Sequence, residues 1–146
     1  MLPSRTTTVS VDFRRIELQI DPDPRLAAAP GGAARFLAEA AGLTSDEAAE
    51  LQKSVVAACL ETFEHLTGDH PHLTVTLVRY PDRIEVELTH EGGAEPAVGL
   101  DRIAGFATQI GVSGGLGGVD RVQYEVRGAL AVTRLTKYLG HLPPIQ

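Results

Sequence analysis

One long segment, residues 45–66, constrains the fold of this chain more than any other feature. Thr44 or Ser45 can cap the N-terminus of a helix, and acidic residues follow directly, as is typical of a first helical turn. At about 100° per residue, apolar side chains cover more than half of the helix circumference. These side chains are Leu51, Val55, Val56, Ala58, Cys59, Leu60, Phe63 and Leu66. The pattern predicts a central, buried helix.

The rest of this helix carries one polar stripe, and any chemistry on the helix would lie along it. The stripe consists of Glu50, Ser54, Ala57, Glu61, Glu64 and His65. Acidic side chains are mostly exposed in folded proteins, so a solvated helix face is the plainer interpretation of Glu61.

Shorter segments on both sides of the long helix alternate between apolar and polar residues, which is the pattern of half-buried strands. They cover residues 13–20, 73–77, 84–88 and 121–126, and a last strand is predicted at about 130–138. A second helix is predicted at 26–41, where Pro30-Gly31-Gly32 must kink or delay it and Gly42 caps it, and a third at 100–110. This order predicts an α+β fold, a two-layer α/β sandwich in which helices cover one face of a mixed, mostly antiparallel sheet.

Size and charge limit the classes of protein and partner. The chain has 146 residues, 43% of them apolar, which suits one soluble domain with a substantial core. We assign that domain to residues 13–140, with an N-terminal tail at 1–12 and a C-terminal tail at 141–146. Thirteen Lys and Arg against nineteen Asp and Glu give a net charge of -6, so neither nucleic acid nor a membrane is an expected partner.

Cysteine usage and hydropathy favour a cytoplasmic location. Cys59 is the single cysteine, which excludes an intrachain disulfide and suits a reducing compartment. The fully apolar run 55–60 is far shorter than the roughly 20 residues that cross a bilayer, and residues 1–8 contain no apolar stretch typical of a secretion signal. We therefore expect a cytoplasmic protein.

Several short stretches, taken with the order of elements, resemble a known family. The stretch 40–48 leads into the long helix, which ends in Glu64-His65. A hairpin, a short helix and two strands follow, and the closing strands carry Val119-Asp120-Arg121-Val122 and Arg134-Leu135-Thr136-Lys137. From Arg15 to Leu139 the chain resembles the anti-sigma-factor serine kinases, which belong to the GHKL, or Bergerat-fold, histidine-kinase-like ATPases.

The resemblance assigns roles to two positions of the long helix. The family carries a Glu that acts as general base and, four residues later, an Asn that holds magnesium, so that both lie on one helical face. Ala57 stands at the base position and Glu61 at the Asn position. A methyl group cannot accept a proton, whereas the Glu61 carboxylate can ligate a hard cation but brings negative charge towards a triphosphate.

The resemblance also assigns nucleotide contacts after the hairpin. His90 stands where the family has an Asp that accepts the adenine amino proton, and Gly92 is a retained glycine. The family's mobile lid is essentially absent before Gly99-Leu100, where the family has a phosphate-binding turn. The candidate cofactor-binding residues are therefore Glu61, His90, Gly92, Gly99 and Leu100.

Two further positions weaken the family's nucleotide site. Ala131 replaces a Thr that the family has early in its final strand. The glycine-rich run 114–118 precedes a strand instead of a helix, so we interpret it as a flexible connector and not as a phosphate cradle.

These positions predict a regulatory protein that binds a protein partner, with impaired or lost ATP-dependent phosphotransfer. By resemblance, the partner is a sigma factor or an anti-sigma antagonist, and the protein is a homodimer. We expect no cofactor, while the resemblance keeps ATP or ADP with magnesium as the alternative. In that alternative the protein is an active serine kinase in which Glu61 and Glu91 replace the missing groups.

A third interpretation is a small-ligand or metal-binding sandwich. One cluster has metal-ligating residue types: His65, Asp69, His70 and His72. Its spacing matches no strong zinc pattern and Pro71 interrupts it, so no metal is expected.

Overall fold

Two α-helices and one sheet make up residues 8–11, 14–91 and 117–140, which are the residues described by this computed structural model. A short 3-10 turn at Pro24–Ala27 precedes the first helix. The helices are α1 Ala28–Ala40 and α2 Ser45–Phe63. The strands are β1 Thr8–Val11, β2 Arg15–Ile20, β3 Leu73–Arg79, β4 Arg83–Glu91, β5 Arg121–Arg127 and β6 Leu130–Tyr138.

The sheet has the strand order β1-β2-β3-β4-β6-β5, and each of these neighbouring pairs is antiparallel. The strand register puts Leu88 of β4 between Val75 on β3 and Thr133 on β6. The apolar face packs on α1 and α2, and one continuous core joins the two layers. The predicted α+β sandwich with helices on one face is confirmed.

The first strand lies inside the segment that the sequence predicts as an N-terminal tail. Thr8 to Val11 pair with Gln19 to Ile16 of β2, so the sheet extends one strand beyond the predicted boundary. Thr8, Ser10 and Asp12 alternate with Val9, Val11 and Phe13 in the sequence, so a period-two signal was present there and was passed over. The strand is defined by its pairing with β2. The predicted helix at 100–110 and the predicted C-terminal tail at 141–146 lie outside the described residues.

Glycine and proline set the beginning and end of α1. Pro30 lies in the first turn, where the missing N–H has no intrahelical partner to lose, so the helix begins at Ala28 and includes the Pro-Gly-Gly stretch. Gly42 has φ +97°, and the Leu43 N–H donates to the Ala38 carbonyl over 3.0 Å. This is a Schellman termination, which confirms the prediction that Gly42 caps the helix.

A capping box begins α2, with Thr44 as the N-cap, which is one of the two caps that the sequence allows. The Glu47 N–H donates to the Thr44 hydroxyl over 3.1 Å, and the Thr44 N–H donates to the Glu47 carboxylate over 3.0 Å. The helix ends at Phe63, before the predicted end at residue 66, and Leu60 of the predicted apolar face is 37% exposed. No helix in the described residues is long and apolar enough to cross a membrane.

The chain enters the last two strands by crossing α2 at very short range. The Gly118 N–H donates to the Ser54 hydroxyl over 2.7 Å. A Cβ atom at position 118 would lie 2.1 Å from the carbonyl oxygen of Glu50, which is a backbone atom that cannot rotate away. Gly118 therefore packs tightly against α2. It is the last residue of the run 114–118, which the sequence led us to interpret as a flexible connector.

We expect Gly118→Ala to lower the free energy of unfolding by about 1–3 kcal/mol or more, because the new methyl group overlaps the backbone of α2. Gly32→Ala is the matched control. A Cβ atom at Gly32 meets open space on a helix, so alanine should stabilise the protein by about 0.5–1 kcal/mol. Urea unfolding followed by circular dichroism measures both, and equal stability of Gly118→Ala and wild type would contradict the close crossing.

Candidate functional site

Ala57 and Glu61 lie one turn apart on α2, and both are half-buried. Their spacing puts both side chains on the same face of the helix, as the sequence predicts. The Glu61 carboxylate makes no hydrogen bond or ion pair with any residue in the described part of the chain. Position 57 therefore offers no proton acceptor, and position 61 offers a carboxylate that no cation among the described residues neutralises.

The polar stripe predicted on α2 does not form one solvent-facing surface. Ser54 is only 1% exposed, and its hydroxyl accepts the hydrogen bond from Gly118. Glu50 is exposed and lies 3.4 Å from the ammonium group of Lys53. Ser54 is therefore a packing residue, and the stripe available for chemistry is shorter than the sequence suggested.

His90 is a buried, titratable residue next to the last residue of β4. It follows Ile84, Val86 and Leu88 on the face of the strand that packs on the helices, and it is 5% exposed. Its Nδ1–H donates to the carbonyl oxygen of Glu91 over 2.9 Å, which leaves Nε2 as a hydrogen-bond acceptor. Nε2 is buried and has no hydrogen-bond partner within the described ranges. The imidazole can therefore accept one hydrogen bond from an N–H or O–H donor.

The strand register gives His90 defined neighbours on β6 and β5. Ala131 lies directly opposite His90, so the position where the resemblance expects a Thr carries only a methyl group there. Thr133 occupies the next position on the same face, is buried, and pairs with Tyr124 of β5. Thr133 was not among the predicted site residues, although the period of two along a strand puts it on the same face as Ala131.

Three of the predicted site residues are not placed. Gly92, Gly99 and Leu100 lie outside the described residues. Of the predicted set, the structure therefore places Glu61 on α2 and His90 on β4, and α2 packs against β4.

The outer face of the sheet, away from the helices, carries a balanced network of charges. The Arg134 guanidinium lies 2.8 Å from the Glu87 carboxylate, and its side chain is only 21% exposed. Arg127 bonds to Glu125 and lies 3.5 Å from Glu87. Hydrogen bonding to Glu125 raises the pKa of Arg127, so this cation stays charged at any physiological pH. The network gives this face a polar surface with matched charges.

A second group of charges continues this network along β4. Arg83 contacts Glu85 over 2.7 Å and Asp82 over 2.8 Å, and its guanidinium stacks 4.1 Å from the centre of the Tyr80 ring. The polar residues of β2, β3 and β4 that lie on this same outer face include Arg15, Glu17, Thr74, Thr76, Glu85 and Glu87.

The histidine-rich cluster is exposed and does not form a complete metal site. His65, Asp69, His70 and His72 are all exposed on the connection between α2 and β3. Within the described ranges, no three His, Cys, Asp or Glu side chains stand together in a position to hold a metal ion.

Cys59 lies in the core, and its thiol is not accessible. It is 0% exposed, and burial raises the pKa of the thiol to about 12. A thiol with this pKa is neutral at pH 8 and is a poor nucleophile.

We expect a disulfide reagent such as DTNB at pH 8 to leave Cys59 unmodified in the native protein and to modify it fully in guanidinium. Rapid reaction of the native protein would contradict the burial of this side chain.

We expect His90→Leu to change the free energy of unfolding by less than about 1 kcal/mol, because the lost Nδ1–H bond to the Glu91 carbonyl is offset by removal of the buried Nε2 acceptor. Ser54→Ala is the matched comparison. It leaves the Gly118 N–H without its acceptor and should lower the free energy of unfolding by about 1–3 kcal/mol. Urea unfolding measures both, and an equal loss of stability in the two variants would contradict this offset at His90.

Comparison with known proteins assigns no family to this geometry. No family model matches the chain, and no curated protein matches it. The positions of Ala57, Glu61 and His90 are therefore the basis on which a function is proposed.

Proposed function

We propose that this protein is a cytoplasmic regulator that acts by binding a protein partner, and that it has lost the phosphotransfer chemistry of the anti-sigma-factor kinases it resembles. The partner class that follows from the resemblance is a sigma factor or an anti-sigma antagonist. One observation carries the proposal: the helix face where that chemistry requires a base and a magnesium-holding amide carries Ala57 and Glu61 instead.

The absence of a base at position 57 supports the loss of phosphotransfer. A general base must lie within hydrogen-bond reach of the hydroxyl that attacks the phosphate. The Ala57 methyl group has no lone pair, and Ser54, one turn earlier, is buried and bonded to Gly118. The Cys59 thiol is neutral and buried, so it does not replace the base.

The charge at position 61 also acts against a nucleotide. A neutral amide can hold magnesium beside a triphosphate without adding charge, whereas the Glu61 carboxylate repels the phosphates unless a cation lies between them. The described residues provide no Lys or Arg that pairs with Glu61. At position 90, a His with its proton on Nδ1 offers a single buried acceptor where the family has a carboxylate.

The outer face of the sheet is the surface that we assign to protein binding and to a homodimer. Its charges are already paired within the chain, as for Arg134 with Glu87 and Arg83 with Glu85. A partner that covers this face would therefore bury ion pairs and not isolated charges, which lowers the desolvation penalty of binding.

Calorimetric titration with ATP and magnesium tests the loss of nucleotide chemistry. We expect the wild-type protein to show no micromolar binding and no transfer of phosphate to a serine of a partner protein. The double variant Ala57→Glu with Glu61→Asn restores both residue types on one helical face and should gain binding or transfer. Ala49→Glu, two turns earlier on α2 and also half-buried, is the matched control and should gain neither. Micromolar binding with serine phosphorylation by the wild type would overturn the proposal.

An active serine kinase is the second candidate, and the unpaired Glu61 carboxylate is the observation that favours it. In this alternative Glu61 and Glu91 supply the cation-binding and polar groups that the family provides elsewhere. Glu61→Gln and Glu91→Gln would then each reduce phosphotransfer at least about tenfold. Kinase activity that is the same in Ala57→Glu and wild type would show that no base at position 57 is needed.

A further inference from the structure

We propose that the edge of β5 that faces away from β6 pairs with the same edge of a second copy of this chain, antiparallel and across a two-fold axis at Gln123. The sheet order puts β5 at one end, and no strand in the described part of the chain lies on its other side. Such an edge presents backbone N–H and C=O groups to a further strand. The proposal goes beyond the proposed function, because neither phosphotransfer nor its loss requires this contact.

The strand β5 has the length and regularity that edge pairing needs. It runs over Arg121–Arg127, and its residues pair with successive residues of β6 without a bulge. It contains no proline or glycine. Bulges and prolines are common ways in which proteins block an edge. The opposite edge of the sheet is β1, which has only 4 residues, so β5 is the edge better suited to a partner strand.

The charges of β5 select one register for the two copies. Only with the axis at residue 123, 124 or 125 do five or more residues of the strand stay paired. With the axis at Gln123, Arg121 of each copy lies opposite Glu125 of the other. With the axis at Tyr124, Arg121 lies opposite Arg127, and with the axis at Glu125 two carboxylates face each other. Unlike charges directly opposite each other stabilise a strand pair and like charges destabilise it, so the register at Gln123 is favoured.

Both charges of this register are available to a second copy. Arg121 is exposed, donates to the Tyr138 hydroxyl over 3.4 Å and forms no ion pair within the described ranges. The Glu125 side chain is 43% exposed and contacts Arg127. A carboxylate has two oxygens, so Glu125 can accept from Arg121 of the other copy and keep its own contact with Arg127.

The inner face of the strand fits the same register. Val122 lies opposite Tyr124 of the other copy, and an aromatic side chain beside a β-branched one is a favourable cross-strand pair. A two-fold axis perpendicular to the sheet keeps the helices of both copies on one side. The two sheets would then join into one, with their outer faces side by side and open to a protein partner.

Disulfide linkage of single-cysteine variants of the full chain tests the contact, because Cys59 is fully buried and does not compete. Residues directly opposite in an antiparallel pair have Cα atoms about 4.5–5.5 Å apart, which a disulfide can span. We expect Gln123→Cys to form a linked dimer on mild oxidation. Glu125→Cys is the matched control, because its two copies would lie about 13 Å apart along the strands and should not link. Thr76→Cys, half-buried like Gln123, reports on a dimer through the outer face.

Analytical ultracentrifugation of the untagged chain measures the same contact without a cysteine. The contact is small, so we expect a reversible dimer with a dissociation constant in the micromolar range. Arg121→Glu creates two pairs of like charge and should raise this constant at least about tenfold. Adding Glu125→Arg to that variant should restore dimerisation. Lys53→Glu makes the same change of charge on exposed α2 and should leave the constant unchanged.

Any of three results would overturn the edge contact: a wild type that stays monomeric at millimolar concentration, linkage at Thr76→Cys with none at Gln123→Cys, or unchanged dimerisation of Arg121→Glu. Linkage at Glu125→Cys in place of Gln123→Cys, or no recovery in the double variant, would overturn the register. None of these measurements involves ATP or a protein partner, so the edge contact and the proposed function fail independently.

Discussion

The crossing of Gly118 over α2 is the contact on which the arrangement of the two layers depends. Its N–H bonds to Ser54, and the approach to the Glu50 carbonyl leaves no space for a side chain. Because β5 begins three residues later and pairs with β6, this contact sets the position of the last two strands relative to the helix. The strand β6 in turn pairs with β4, and this register puts Ala131 opposite His90.

The two faces of the sheet differ in how they satisfy polar groups. The outer face pairs its charges in a network around Arg134 and Glu87, which remains stable in contact with water. The core between the sheet and the helices is apolar except for a few buried polar residues, among which Thr62 on α2 donates to the carbonyl of Ala58 over 2.7 Å. His90 on β4 differs from Thr62 because its Nε2 has no hydrogen-bond partner among the described residues.

Much of the fold follows from local patterns in the sequence. The helix cap at Thr44, the termination at Gly42 and the alternation in β3 and β4 each reflect interactions within a few residues, and each was predicted, with Ser45 as the alternative cap. The strand β1 was missed although residues 8–13 alternate between polar and apolar types, and its existence depends on pairing with β2. Ser54 was misjudged because a polar residue on a helix gives no sign that a distant glycine will cover it.

By itself, the sequence determined the helix and strand segments, the absence of a base at Ala57 and the change to a carboxylate at Glu61, because these depend only on residue identity and local spacing. The tertiary structure decided which distant residues meet. The register of β4 on β6 puts His90 opposite Ala131, and the chain path brings Glu91 to a small pocket that His70 and His72 also line. Neither relation has a local signal, since contacts between residues far apart in the chain arise only when the layers pack and the strands pair.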